Sequence, residues 1–264
     1  MKIVIVQARV GSSRLAGKIL MPLGRGTPLA SVLNRCARIP RIDAVVCAVP
    51  DNASSEPIAA VARDCGAVLF RGSEHDVLDR HHQAAREVDA SVVMRVTSDC
   101  PLVDPALCGE VLAALEATGA DYVCNNMPPL WPHGLDCDAF PVEHLARAAR
   151  EATSPHDREH VTPWLRRNLR TVAIDGPGGG LERHRWTLDY PEDYELFRAL
   201  WDVLGERAGE ASAGECLAAL DAHPEIAAIN RAFIDQQRLD DRSLTPGLRR
   251  QSRFAVPNRR AAAA

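Results

Sequence analysis

Between Gln7 and Lys18 the chain reads Gln-Ala-Arg-Val-Gly-Ser-Ser-Arg-Leu-Ala-Gly-Lys, directly after an apolar run from Ile3 to Val6. Three cations, Arg9, Arg14 and Lys18, thus share one short loop with two glycines, Gly11 and Gly17. Glycines let backbone N–H groups turn toward a ligand, while arginine and lysine neutralise and orient phosphate, so the natural occupant is a triphosphate. Gln7, Ala8, Arg9, Gly11, Ser12, Arg14 and Lys18 are the candidate nucleotide contacts, with Lys18 and Arg14 expected to act in catalysis. The loop is not a Walker A motif, because five residues rather than four separate Gly11 from Gly17 and Ile19 follows Lys18. The dinucleotide fingerprint fails as well, since Gly24 and Gly26 have no third glycine at the required place.

Two aspartates are candidate metal ligands. Asp99 lies just past the strand-like stretch Ser91–Val96, and Asp189 just past Arg185–Leu188, so each is expected at a strand's carboxyl end. Mg²⁺ prefers oxygen ligands and usually takes one or two carboxylates with phosphate and water, so separated carboxylates opposite a cationic loop suit a Mg²⁺–triphosphate complex. An aspartate near a proline at a strand end also serves as a turn or helix N-cap residue, and the residues alone leave that alternative open.

Positioning these groups needs strand ends brought side by side. Apolar runs at Ile3–Val6, Ala44–Val49, Ala67–Phe70, Ser91–Val96 and Asp121–Cys124 alternate with helical patterns. That rhythm predicts an α/β fold, a mostly parallel mixed sheet with helices on both faces. Thr27 then Pro28 signals a helix start, and Gly66 a helix end. Sites in such sheets lie beyond the strands' carboxyl ends, here the loops after Val6 and Val96. From about 128 to 180 the rhythm breaks, which reads as an inserted acceptor-binding segment containing a helix at Val142–Glu151. A strand at Arg185–Leu188 and a helix after Pro191 follow, giving a domain over 1–238 and a mobile tail over 239–264.

The composition is that of an ordinary globular protein, with 46% hydrophobic and 25% charged residues. A net charge of -4 removes the broad attraction a general nucleic-acid binder needs. No apolar run reaches membrane-spanning length and no leader pattern is seen, so a cytoplasmic location without membrane or nucleic-acid partners is expected. The eight cysteines include no C-x-x-C pair and read as buried thiols. A homodimer stays open.

The opening Q-A-R-x-G-S-x-R-L-x-G-K, followed by Pro22-Leu23-Gly24, resembles that of the cytidylyltransferase family, which includes CMP-sialate and CMP-Kdo synthetases. The likeness is greatest to the branch called spore coat polysaccharide biosynthesis protein SpsF-like. Further stretches agree in order: Arg71-Gly72-Ser73-Glu74-His75-Asp76-Val77-Leu78, Thr97-Ser98-Asp99-Cys100-Pro101-Leu102, Gly134-Leu135-Asp136, Asp157-Arg158-Glu159-His160-Val161-Thr162-Pro163, and Arg185 through Asp193. The resemblance spans about residues 1–235. It departs at Ala16, where a proline is usual, and in the segments with which the sugar-acid synthetases read base and acceptor.

The resemblance implies a GT-A-like nucleotidyltransferase fold and transfer of CMP from CTP to a small anionic acceptor, a sugar acid or phosphonate, with release of pyrophosphate. It implies Asp99 and Asp189 as Mg²⁺ ligands, Ser98 on the nucleotide side and Arg71 as a reader of the pyrimidine or its ribose. Asp136, Arg158, His160 and Arg185 would line the acceptor side.

Two patterns point elsewhere, and a third class of function stays open. His156-Asp157-Arg158-Glu159-His160 matches the inverted zinc motif H-x-x-E-H, but Pro155 and Pro163 bracket it closely. Asp136-Cys137-Asp138 is an Asp-x-Asp, the metal motif of nucleotide-sugar glycosyltransferases, and makes such an enzyme the alternative. A non-catalytic nucleotide-binding module would bind nucleotide without turnover.

Overall fold

The computed structural model describes residues 1–12, 14–240 and 248–253. Among these, β1 (Lys2–Gln7), β2 (Ala44–Pro50), β3 (Val68–Gly72), β4 (Val92–Thr97), β5 (Tyr122–Cys124), β6 (Asp138–Pro141), β7 (Thr171–Asp175) and β8 (Leu248–Gln251) form one sheet in the order β3-β2-β1-β4-β6-β5-β7-β8. β6 is antiparallel to β4 and β5; the other pairings are parallel. The helices are α1 (Pro28–Ala37), α2 (Glu56–Asp64), α3 (Val77–Glu87), α4 (Pro105–Thr118), α5 (Val142–Glu151), α6 (Pro155–His160), α7 (Pro163–Asn168), α8 (Pro191–Leu204), α9 (Ala213–Ala222), α10 (Pro224–Ala228) and α11 (Gln236–Asp240).

β1 sends Val4 and Val6 into one core and Ile3 and Ile5 into another, so both faces of the sheet are covered. A strand buried on both sides is apolar at consecutive positions, which explains the unbroken run Ile3–Val6. The first core packs under α1, α2, α4, α8 and α9 through Leu29, Ile58, Val111, Leu196 and Leu217. The second packs under α3, α5 and α7 through Leu78, Leu145 and Leu165. Helix starts are capped as the residue types demand: Thr27 accepts from the Ala30 N–H at 3.1 Å, and Asp104 from the Ala106 and Leu107 N–H groups at 2.8 and 3.0 Å. All eight cysteines are free thiols, and seven are buried.

β2 and β3 lie on one side of β1 and β4 on the other, with Gln7 beside Thr97. The loops leaving β1 and β4 therefore part at this point, the crevice where doubly wound sheets hold ligands.

The structure departs from the sequence reading in three places. Arg185–Leu188 is not a strand: it crosses the strand ends, making one bridge to His133, a 2.6 Å bond from Trp186 N to His133 O, and a 2.8 Å bond from Leu188 N to Asp99 O. This close approach requires Gly134, at φ 118, because a Cβ there would stand 2.1 Å from the Trp186 carbonyl oxygen. The segment 128–180 is no separate insert, since β6 sits between β4 and β5 and β7 continues the sheet. Its short antiparallel strand breaks the βα rhythm that signals parallel sheet. Finally, part of the expected mobile tail forms β8 on β7, secured by Arg249 Nε to Asp175 at 2.8 Å and Ser252 Oγ to Glu110 at 2.7 Å. This covers a sheet edge. Residues 241–247 and 254–264 lie outside the described residues.

α3 buries His81 completely, donating from Nδ1 to the Val77 carbonyl at 2.8 Å while Nε2 has no partner among the described residues. Burial, reinforced by the Arg95 charge, pushes this imidazole down to about 3. A depressed histidine pKa means that the unfolded chain takes up the proton first, so its contribution is complete above the unfolded value and is lost as pH falls. We expect His81 alone to reduce unfolding free energy by about 2 kcal/mol between pH 6.5 and pH 5. Urea titrations across that range should show His81→Leu with a flatter pH profile than the parent, and parallel profiles would contradict this assignment.

Candidate active site

The cleft over the β1 and β4 ends holds about 760 Å³ and gathers residues separated widely in the chain. Of the sequence candidates, Gln7, Ala8, Arg9, Gly11, Ser12, Arg14, Lys18, Ser98, Asp99, Asp136, His160, Arg185 and Asp189 all line it. Gly17 stands at φ 64, a left-handed turn that directs the chain into a short 3₁₀ segment, Lys18–Leu20, and so aims Lys18 back over the sheet.

The Lys18 ammonium occupies the centre. Its Nζ donates to Asp99 Oδ2 at 3.0 Å and to Asp189 Oδ1 at 2.8 Å, so the two aspartates, 90 positions apart, aim oxygens at one point. Asp189 Oδ1 also accepts from Arg14 at 2.9 Å, while Oδ2 accepts from Arg185 at 2.9 Å. Burial alone would raise the Asp189 carboxyl, but the Lys18 hydrogen bond, the Lys18 and Arg14 charges and the Arg185 hydrogen bond together hold it below the ordinary range. Burial likewise opposes charge on Lys18, and the neighbouring Asp99 and Asp189 outweigh it. Both groups therefore stay ionised. Asp193, fully buried near the start of α8, fixes this arrangement by accepting from Arg185 at 2.9 and 3.0 Å and from the Asp189 and Tyr190 N–H groups at 2.8 and 2.9 Å.

Two candidates lie away from the cleft's lining. Arg71 Nη2 donates to Glu56 of α2 at 2.6 Å, so this cation at the end of β3 ties the strand to its own helix. Arg158 grips Asp76, the residue capping α3, and donates to the Ala149 carbonyl near the end of α5 at 2.6 Å. It joins two helices instead of facing an acceptor. Arg158→Ala should lower unfolding free energy by about 1–2 kcal/mol, the scale of hydrogen bonds to charged groups, while leaving nucleotide-induced thermal stabilisation intact; loss of that stabilisation would return Arg158 to the site.

The cleft also contains residues that the sequence reading did not select. Arg80 lines the cleft with a buried side chain whose Nη1 donates to the Ser73 carbonyl and whose Nε lacks a partner among the described residues. Burial, then repulsion from Arg9, lowers its guanidinium to about 10. Gly72 leaves room for its stem, since a Cβ there would stand 3.1 Å from Arg80 Cγ. The helical spacing of Val77, Arg80, His81 and Ala84 puts it on the buried face of α3, a signal present in the sequence. Arg95 lies within the apolar run of β4 and donates to Gln7 Oε1 at 3.2 Å. Tyr190 packs against Phe233 with ring centroids 4.4 Å apart.

The competing motifs acquire other roles. Val161, at φ 69, ends α6 in a γ-turn closed by Thr162 N to His160 O at 2.8 Å, so H-x-x-E-H occupies only a six-residue helix. No cluster of three or more metal-ligating side chains occurs among the described residues. In the Asp-x-Asp, Asp136 accepts from Arg238 at 2.7 Å, and Asp138 is buried in β6 under Arg166 at 2.9 Å and Tyr122. Each carboxylate is thus already paired with an arginine.

Known proteins resemble this chain in sequence and fold. The chain is 33% identical over 231 residues to the spore coat polysaccharide biosynthesis protein SpsF of Bacillus subtilis, covering 84% of this chain and 95% of that one. The structure of a cytidylyltransferase from Leptospira borgpetersenii superposes with a TM-score of 0.81 at 26% identity, covering 86% and 96% of the two chains. That of CMP:2-keto-3-deoxy-manno-octonic acid synthetase complexed with CTP shares the fold, with a TM-score of 0.57 at 17% identity over 76% and 98% of the chains. The cytidylyltransferase family model matches residues 3–201, and the protein belongs to that family.

Proposed function

We propose that the protein transfers CMP from CTP to a small anionic acceptor, a sugar acid or phosphonate, in a Mg²⁺-assisted reaction that releases pyrophosphate. The observation that carries this reading is Lys18 held between Asp99 and Asp189 at the end of a glycine-bearing cationic loop. Two carboxylates aimed at one cationic point match the donor set of a Mg²⁺–phosphate complex, and the lysine ammonium marks that point. When bound, Mg²⁺ would neutralise developing phosphate charge.

The chain's own residues then do the positioning. Lys18, freed from the aspartates by the nucleotide complex, and Arg14 hold phosphate oxygens, while the loop's backbone N–H groups cradle the remainder. An acceptor oxygen attacks the α-phosphorus opposite the departing pyrophosphate, so in-line placement and charge neutralisation supply catalysis without a covalent enzyme intermediate. Arg80 of α3 and Arg95 of β4 add positive charge to the lining of the cleft, which Tyr190 and Phe233 also line. Such chemistry fits a cytoplasmic supply of CTP, and no helix among the described residues is long and apolar enough to cross a membrane.

Nucleotide choice is testable directly. CTP with Mg²⁺ should raise the melting temperature more than UTP, ATP or GTP, since a ligand at one hundred times its dissociation constant contributes about 2.7 kcal/mol. Equal shifts with all four would remove the cytidine assignment. Pyrophosphate release from CTP across a panel of sugar acids and phosphonates then tests turnover.

A further inference from the structure

Beside the main cleft lies a second cavity of about 260 Å³, walled by Asn126, Met127, Pro128, Pro129, Asp136, Arg166 and Arg238. It adjoins the cleft through Asn126 and Asp136, which line both. We propose that this side pocket receives the anionic group of the acceptor, a carboxylate or phosphonate, between Arg166 and Arg238. The proposal rests on the transfer reaction above and specifies where its acceptor is held.

Three observations converge. Arg158 and Arg185, the two acceptor-side arginines expected from the sequence, are already gripped by Asp76 and by Asp189 with Asp193. Arg166 and Arg238 keep unused donors. Arg166 gives Nε to the Tyr122 hydroxyl at 2.9 Å and Nη2 to Asp138 at 2.9 Å and Asn126 at 3.1 Å, leaving Nη1 without a partner among the described residues. Arg238 gives Nη2 to Asp136 at 2.7 Å, leaving Nε and Nη1 without one among the described residues.

Charge balance points the same way. The pocket's own walls carry two guanidiniums, Arg166 and Arg238, against one lining carboxylate, Asp136, while Asp138 is buried beneath Arg166 outside the lining. A planar guanidinium with two free N–H groups matches a carboxylate or phosphonate, and a partly buried cation gains most from such a partner. Asp136 competes for Arg238 until the acceptor arrives.

Arg238 reaches the pocket because the chain beyond α10 returns to the cleft, where Phe233 stacks on Tyr190. That segment lies outside residues 3–201, the part matched by the family model. Arg166 lies within the matched region and Arg238 beyond it, so the pocket joins the shared domain to the chain that follows it.

The test titrates D-glucuronate and inorganic phosphate into CTP-loaded enzyme by calorimetry, with D-glucose as the neutral control. CTP occupies the cationic loop and keeps the probes from it. In Arg238→Met, anion affinity should fall by about 10-fold or more, the loss of one charge-assisted contact, while CTP binding is unchanged. Asp136→Asn removes the competing carboxylate and should tighten anion binding several-fold. Sensitivity to glucuronate alone assigns the pocket to carboxylates, and sensitivity to phosphate alone assigns it to phosphonates. Unchanged anion affinity in Arg238→Met, or no anion binding by the CTP-loaded parent, overturns the proposal. Failure of CTP itself to bind would instead count against the nucleotide reading; the anion titrations would then be run without CTP, and the difference between Arg238→Met and the parent would be read.

Discussion

Lys18→Met should lower turnover by about 100- to 1,000-fold, the loss expected for one preorganised partner of transition-state charge. The structure adds a second readout that a simple phosphate contact would not predict. Lys18 is largely buried, and its ammonium is the shared partner of Asp99 and Asp189. Methionine keeps the stem's packing but leaves the two carboxylates facing each other without that charge. Asp189 retains Arg14 and Arg185, so folding should survive, whereas Asp99 has no other ion pair among the described residues. The variant should therefore melt at a lower temperature without divalent cations and recover with Mg²⁺ by a larger margin than the parent. Full turnover would show that the loop is not the phosphate cradle, and an unchanged Mg²⁺ response would separate Lys18 from the metal position.

Much of this site is legible in the sequence because its parts use local signals. A cationic glycine loop needs only neighbours in sequence, and the apolar run Ile3–Val6 announces a strand buried on both sides. Asp99 and Asp189 were readable as residues past extended stretches, and the fold makes them meet. Partner choice was less legible. Nothing local to Arg158 or Arg71 reveals that Asp76 and Glu56 neutralise them, because those pairings depend on how helices pack. Arg185–Leu188 looked like a strand since Trp, Thr and Leu favour extended backbone, and a chain crossing above a sheet is extended too. Arg80 carries its signal in spacing alone, which places it on the inner face of α3, a helix otherwise rich in charge.

The aspartates give the sharpest test of the metal assignment, because stability and activity should respond differently. Asp189 is buried and joins Lys18, Arg14 and Arg185, so Asp189→Asn leaves several cations with less compensation and should cost about 3 kcal/mol of unfolding free energy in metal-free buffer. Asp99 is more exposed and pairs with Lys18 only among the described residues, so Asp99→Asn should cost about 1 kcal/mol or less. If stability governed function, Asp99→Asn would be nearly silent. A metal role predicts the reverse: both variants should lose activity and require more Mg²⁺, since an amide is a poorer Mg²⁺ partner than a carboxylate. Moreover, if both side chains hold one ion, the double variant should lose less activation free energy than the two single losses combined, whereas independent sites would add. Normal Mg²⁺ dependence in Asp99→Asn would defeat the assignment, because this is the residue whose loss the fold itself tolerates. Additive losses with normal Mg²⁺ dependence in Asp189→Asn would place that residue among the ion pairs that position Lys18 and Arg14.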